Sequence, residues 1–148
     1  MPLTEQLQQE IKTAMLAKDA PRLQALRMLK SAVGYVQIEK KVDALTDADF
    51  LAVVQREVKK RRDSAEQFTN AGRAELAAVE TSEVAVLEIF LPKQLAPEEL
   101  EALVRATIQE VGAIDKKQMG AVMKAVQAKL AGRADGKTTS ALISKLLP

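Results

Sequence analysis

The sequence predicts an all-α protein of two helical modules, about four N-terminal helices followed by a three-helix C-terminal bundle. Apolar residues recur at spacings of three and four almost throughout, and no run alternates with period two. Aromatic residues make up only 3% of the chain, namely Tyr35, Phe50, Phe68 and Phe90, so the core is expected to be aliphatic, which suits helix-on-helix packing. With 47% apolar and 28% charged residues, a chain of 148 residues reads as folded, with room for one domain or two small ones.

Taken in order, the first helix is expected over residues 3–18, with Leu7, Ile11 and Met15 in one stripe and Ala14 beside it. Asp19, Ala20 and Pro21 break it, and Pro21 suits the first turn of a second helix. That helix carries Leu23, Leu26, Leu29 or Lys30, Val33 and Val36, and reaches about residue 38. Thr46 followed by Asp49 resembles a capping pair for a third helix, along which Phe50, Val54, Val58, Arg61, Ala65 and Phe68 follow one face. Gly72 fits the left-handed residue that closes it. A fourth helix is expected over residues 74–91, with Leu76, Val79, Val86 or Leu87, and Phe90 inward.

Pro92 and Pro97 make a stiff break that is taken as the domain boundary. This gives an N-terminal helical domain over 1–91, a proline-bracketed linker over 92–97 and a C-terminal helical domain over 98–148. Glu98 and Glu99 sit where acids favour a helix start, in the first turn of a fifth helix that Gly112 ends. Asp115 with Gln118 reads as a capping box for a sixth helix. Its apolar face is Met119, Val122, Met123, Val126 and Leu130, and Gly132 closes it. Asp135 caps a short last helix carrying Leu142, Ile143, Leu146 and Leu147.

Composition excludes several function classes. There is no Cys, so disulfides, thiolate nucleophiles and zinc–sulfur sites are ruled out. There is no His, which removes the commonest general base and metal ligand. No stretch approaches the roughly 20 apolar residues of a membrane span, and residues 1–12 are polar with no signal-like apolar region. The expected setting is cytoplasmic, with no membrane partner and no cofactor.

The net charge of +2 conceals a strong asymmetry. Residues 75–110 hold eight acids against Lys93 and Arg105, a net of −6, whereas residues 116–148 hold seven bases against Asp135, a net of +6. The basic end points to a polyanion. Its candidate binding residues are Lys116, Lys117, Gly120, Lys124, Lys129, Arg133, Gly136 and Lys137. Lys117, Gly120 and Lys124 fall along one side of the sixth helix, where glycine would admit a sugar-phosphate backbone; equally, Gly120 could mark a tight helix–helix contact. The backbone N–H groups at the start of the last helix offer an anion site, unless Asp135 caps that helix and repels phosphate. A second basic strip, Arg56, Lys59, Lys60 and Arg62, reads either as a phosphate track or as an exposed face with Lys59–Asp63 and Arg62–Glu66 pairs. Arg61 falls near the apolar stripe, where its stem can cover the core. Stacking on bases is not expected from so few aromatics.

Catalytic patterns are decoys. Residues 132–138 imitate a phosphate-binding loop but are one residue short between the glycines and follow a predicted helix, not a strand. Glu80 with Glu83, and Glu98 with Glu101, have the i,i+3 spacing that could offer carboxylates to Mg²⁺, a spacing equally common on exposed helices. A Ser–Lys pair from Ser140, Ser144 and Lys145 has no oxyanion hole predicted near it. No catalytic constellation is visible.

Three segments, in order, resemble the GatB/YqeY family over nearly the whole chain: residues 59–68 with Ala71, Gly72 and Arg73; residues 90–95; and residues 119–123 with 132–137. One departure is Ala74-Glu75-Leu76 after Arg73, where the family usually has Asp-Leu. The resemblance implies a C-terminal module similar to the tail domain of GatB, a subunit of the tRNA-dependent amidotransferase, which leans against tRNA while the chemistry lies elsewhere. It therefore implies a non-catalytic tRNA-binding accessory module that reads phosphate and shape rather than bases, with no DNA expected. A protein-binding adaptor of a tRNA-charging or amidotransferase complex, using the acidic stretch, is the second reading. A glutamine-dependent carbon–nitrogen ligase is the third, and it would need an ATP site and an ammonia source that the sequence does not show.

Overall fold

The computed structural model describes all 148 residues, which form seven α-helices and two short 3-10 turns. No helix is long and apolar enough to cross a membrane. The chain divides into two compact units, Met1–Leu91 and Pro92–Pro148.

In the first unit, α1 spans Leu3–Leu16, α2 Ala20–Lys40, α3 Asp47–Asn70 and α4 Ala74–Leu87. Helix α1 buries Leu7 and Ala14, with Ile11 packed against the same core. Met15, expected in that stripe, is exposed, because it lies about 100° around the helix from Ala14. Lys18 takes a left-handed φ of 54°, so the helix stops short of it. The chain re-enters α2 through Asp19, whose side chain accepts from the Arg22 N–H at 3.2 Å. Helix α2 buries Leu26, Leu29, Val33 and Val36, settling the choice between Leu29 and Lys30, and adds Ala25.

Helix α3 starts as expected, with Thr46 Oγ1 accepting from the Asp49 N–H at 3.2 Å. Phe50, Val54, Val58 and Arg61 are buried, while Ala65 and Phe68 are only half-buried. Phe50 meets Phe90 edge to face, with centroids 5.5 Å apart.

Helix α4 departs from expectation. It ends at Leu87 and tightens into a 3-10 turn, Glu88–Phe90. Its inward residues are Ala77, Val84, Leu87 and Phe90, whereas Leu76 and Val79 are 41% and 53% exposed. Leu, Ala and Val surround this helix, so apolar spacing alone defines no unique face. The phase actually adopted turns Glu83 onto Arg61 of α3, at 3.1 Å.

In the second unit, α5 spans Pro97–Val111, α6 Met119–Leu130 and α7 Gly136–Leu146. They enclose Leu100, Val104, Val122, Val126, Leu130, Ile143 and Leu147. The segment between the prolines is tied to this unit: the Leu95 N–H donates to the Arg133 carbonyl at 2.8 Å, and Gln94 Nε2 to the Gly132 carbonyl at 3.1 Å. The predicted capping box is displaced by one residue. Gln118 Oε1 accepts from the Ile114 N–H at 2.7 Å and Asp115 Oδ1 from the Lys117 N–H at 2.9 Å, so the pair closes a 3-10 turn, Lys116–Gln118, and α6 begins only at Met119. At its other end, Ala131 and Gly132 both adopt positive φ, so the reversal takes two left-handed residues rather than glycine alone.

Candidate nucleic-acid interface

The predicted basic residues of the second unit divide into two groups. Lys116 and Lys117 project from the 3-10 turn, and Gly120 and Lys124 lie on α6; all four are exposed. Gly120 and Lys124 are i,i+4 neighbours on the side of α6 away from buried Val122 and Val126. Lys116, Lys117 and Lys124 take part in none of the ion pairs of this unit. A Cβ on Gly120 would meet nothing within 4 Å, so this glycine marks no helix–helix contact but a stretch of open backbone.

The stripe continues. Gln127 lies one turn beyond Lys124, and its Nε2 stands 3.8 Å from where a Cβ on Gly136 would be. The first turn of α7, with exposed Gly136 and Lys137, therefore adjoins the lysine-bearing face of α6. The start of that helix is not an open anion site, however. Asp135 accepts from the Thr138 N–H at 2.6 Å and from Thr138 Oγ1 at 3.0 Å, placing a carboxylate where a phosphate would sit.

The remaining two bases hold structure. Lys129 pairs with Glu110 of α5, and its Nζ also donates to Thr107 Oγ1 at 3.3 Å. Arg133 is half-buried and caps the end of α6, donating from Nε to the Leu130 carbonyl at 3.0 Å and from a terminal nitrogen to the Lys129 carbonyl at 3.1 Å. That guanidinium fixes the turn that carries Gly136 and Lys137 beside α6.

The second strip, on α3, is largely neutralised by its neighbours. Lys59 pairs with Asp63 at 3.5 Å, Lys60 with Glu57 at 3.3 Å, and Arg62 with Glu88. Arg56 alone among its four residues lines a groove without an ion pair. Arg61 shields the core with more than its stem: the whole residue is 5% exposed, and its guanidinium is held by Glu83 Oε2 at 3.1 Å, the Glu57 carbonyl at 3.1 Å and Glu57 Oε2 at 3.4 Å. The i,i+4 spacing of Glu57 and Arg61 on the buried phase of α3 was the available signal for half of this cluster.

One member of each carboxylate pair considered for a metal is engaged elsewhere: Glu83 binds Arg61, and Glu101 accepts two bonds from Arg105, at 3.1 and 2.8 Å. No group of three or more acidic side chains is placed to hold a metal ion. Residues 132–138 run from one helix to the next, without the strand a nucleotide loop requires.

Residues 4–147 match the family described as Yqey-like protein. Altered inheritance of mitochondria protein 41, mitochondrial, from Pyrenophora tritici-repentis is 28% identical over 133 residues, which is 86% of this chain and 71% of that protein. An uncharacterised protein of Schizosaccharomyces pombe is 30% identical over 87 residues, covering 59% of this chain and 70% of its own length.

Proposed function

The chain belongs to the YqeY-like protein family, and from that premise we propose that its C-terminal unit is a non-catalytic RNA-binding module that takes the sugar-phosphate backbone of tRNA across the Lys116–Gln118 turn and α6. The observation that carries this reading is the rim of exposed lysines, Lys116, Lys117 and Lys124, around open backbone at Gly120. Cations without carboxylate partners lose little by turning to phosphate, and each phosphate neutralised releases condensed counterions. A glycine with free space above it lets a backbone approach more closely than any side chain would. Lys137 extends the rim onto α7, while Lys129 and Arg133 act one step back, by fixing the helices that present it. Residues 119–123 and 132–137 resemble the C-terminal signature of the family, which implies a module similar to the tail of GatB, and that implication favours tRNA over other polyanions. With no aromatic side chain on this face, recognition would rest on phosphate position and helical shape.

Fluorescence anisotropy of labelled bulk tRNA across a salt series tests this. Three or four phosphate contacts predict a slope of log K against log salt of about −3. Binding that does not weaken with salt would contradict the proposal.

A further inference from the structure

Helix α2 has two apolar sides, and only one is used by the core. Leu26, Leu29, Val33 and Val36 point inward, while Met28, Tyr35 and Ile38 share a second side and remain exposed, Tyr35 at 76% and Ile38 at 77%. Met28 and Tyr35 of that side line a groove of about 550 Å³ between α2, α3 and α4, wholly within the first unit, whereas Ile38 lies outside it. Met28, Ala32, Val36 and Val53 give it an apolar lining. Above this lining it holds four carboxylates against three bases. Arg61 and Lys60 are already committed to Glu57 and Glu83, whereas Glu39 and Glu80 form no ion pair. Arg56 forms none either, but two open acids outnumber it. One terminal nitrogen of buried Arg61 faces only the Met28 sulfur, at 3.8 Å, a weak acceptor on a flexible side chain.

We propose that this groove docks an amphipathic helix of a partner protein, with apolar residues seated along Met28, Ala32 and Tyr35 and a lysine or arginine reaching Glu39 and Glu80. From Met28 to Glu39 the α2 wall of the groove runs about 16 Å, the length of three helical turns, which matches the spaced anchors of helix-in-groove recognition. The open acids disfavour nucleic acid and anionic lipid as occupants and favour a cationic partner. Tyr35 adds an exposed aromatic face for a cation or an apolar side chain. The site is separate from the lysine rim, so either can fail without the other.

The test is a titration of the full-length ¹⁵N-labelled chain with two helix-stabilised peptides of about 18 residues that share one leucine face, one flanked by Lys and Arg and the other by Glu. The expected result is a Kd near 100 μM, to order of magnitude, for the basic peptide, with amide shifts confined to Met28, Tyr35, Glu39 and their groove neighbours. The acidic peptide should bind about tenfold more weakly, and Tyr35→Ala and Glu39→Lys, both at exposed positions, should each weaken the basic peptide about five- to tenfold. Lys117→Ala with Lys124→Ala should leave it unchanged. Equal binding of the two peptides, no shifts in the groove, or indifference to Tyr35→Ala and Glu39→Lys in chains that keep their helical circular dichroism would overturn the proposal. Shifts at Tyr35 on dilution without peptide would overturn it in favour of a second copy of the chain.

Discussion

Arg61 and Lys129 show how differently two bases of one chain can be employed. The Arg61 guanidinium is enclosed with Glu57 and Glu83, whose side chains are mostly buried as well. Truncating it strands the Glu83 carboxylate with little water and leaves Glu57 only Lys60 as a partner, so Arg61→Ala is expected to cost about 3 kcal/mol in urea unfolding. Arg61→Lys should recover only part of this, because a point charge cannot reproduce the fork. Lys129 pairs with Glu110 in an exposed setting, so Lys129→Ala should change stability by less than about 1 kcal/mol. Lys124→Ala should leave stability unchanged and lower the salt slope of tRNA binding by about one. Counting lysines in the sequence does not separate these cases. Lys129 and Glu110 are 19 residues apart, and only the packing of α6 on α5 brings them together. The same holds for Arg61 and Glu83, 22 residues apart, whereas Glu57, one turn away on the same helix, was within reach of the sequence.

At the scale of the element, local signals were the legible ones. Thr46 and Asp135 cap α3 and α7 through backbone N–H groups three residues on, which sequence spacing alone predicts. Asp135→Ala is expected to destabilise the second unit by about 1 kcal/mol, read by thermal unfolding. What spacing could not fix was phase, where a helix is apolar on more than one side. In α4 the Glu83–Arg61 pair turned Leu76 and Val79 outward, and in α2 a second apolar side was left over beside the groove. Gly120 was open to two readings for a related reason: glycine in a helix reports that space matters, not which neighbour uses it. The free space above it predicts that Gly120→Ala raises stability by about 0.5–1 kcal/mol while weakening tRNA binding, since the new methyl group stands where the RNA backbone would approach. A stability gain with unchanged binding would remove Gly120 from the interface.

Across the whole molecule, the proline pair at 92 and 97 was the clearest architectural mark in the sequence, and contacts divide the chain beside it. Each unit has its own apolar core, and Gln94 and Leu95 are bonded within the second. A fragment of residues 92–148 is therefore expected to be helical alone, as read by circular dichroism, and to keep the salt-dependent tRNA binding. The asymmetry of charge along the chain was equally legible, but its use was not. Of the eight residues proposed for RNA from sequence, Lys129 and Arg133 are occupied in holding the helices, and the open rim centres on Lys116, Lys117, Gly120 and Lys124. The central claim is most directly tested by tRNA anisotropy at low salt for the full chain beside a variant carrying Lys116→Ala, Lys117→Ala and Lys124→Ala. The prediction is a loss of about tenfold or more in affinity, with unchanged thermal unfolding. Undiminished binding by the folded variant, or no binding by the unaltered chain, would contradict the claim that this rim is an RNA-binding surface.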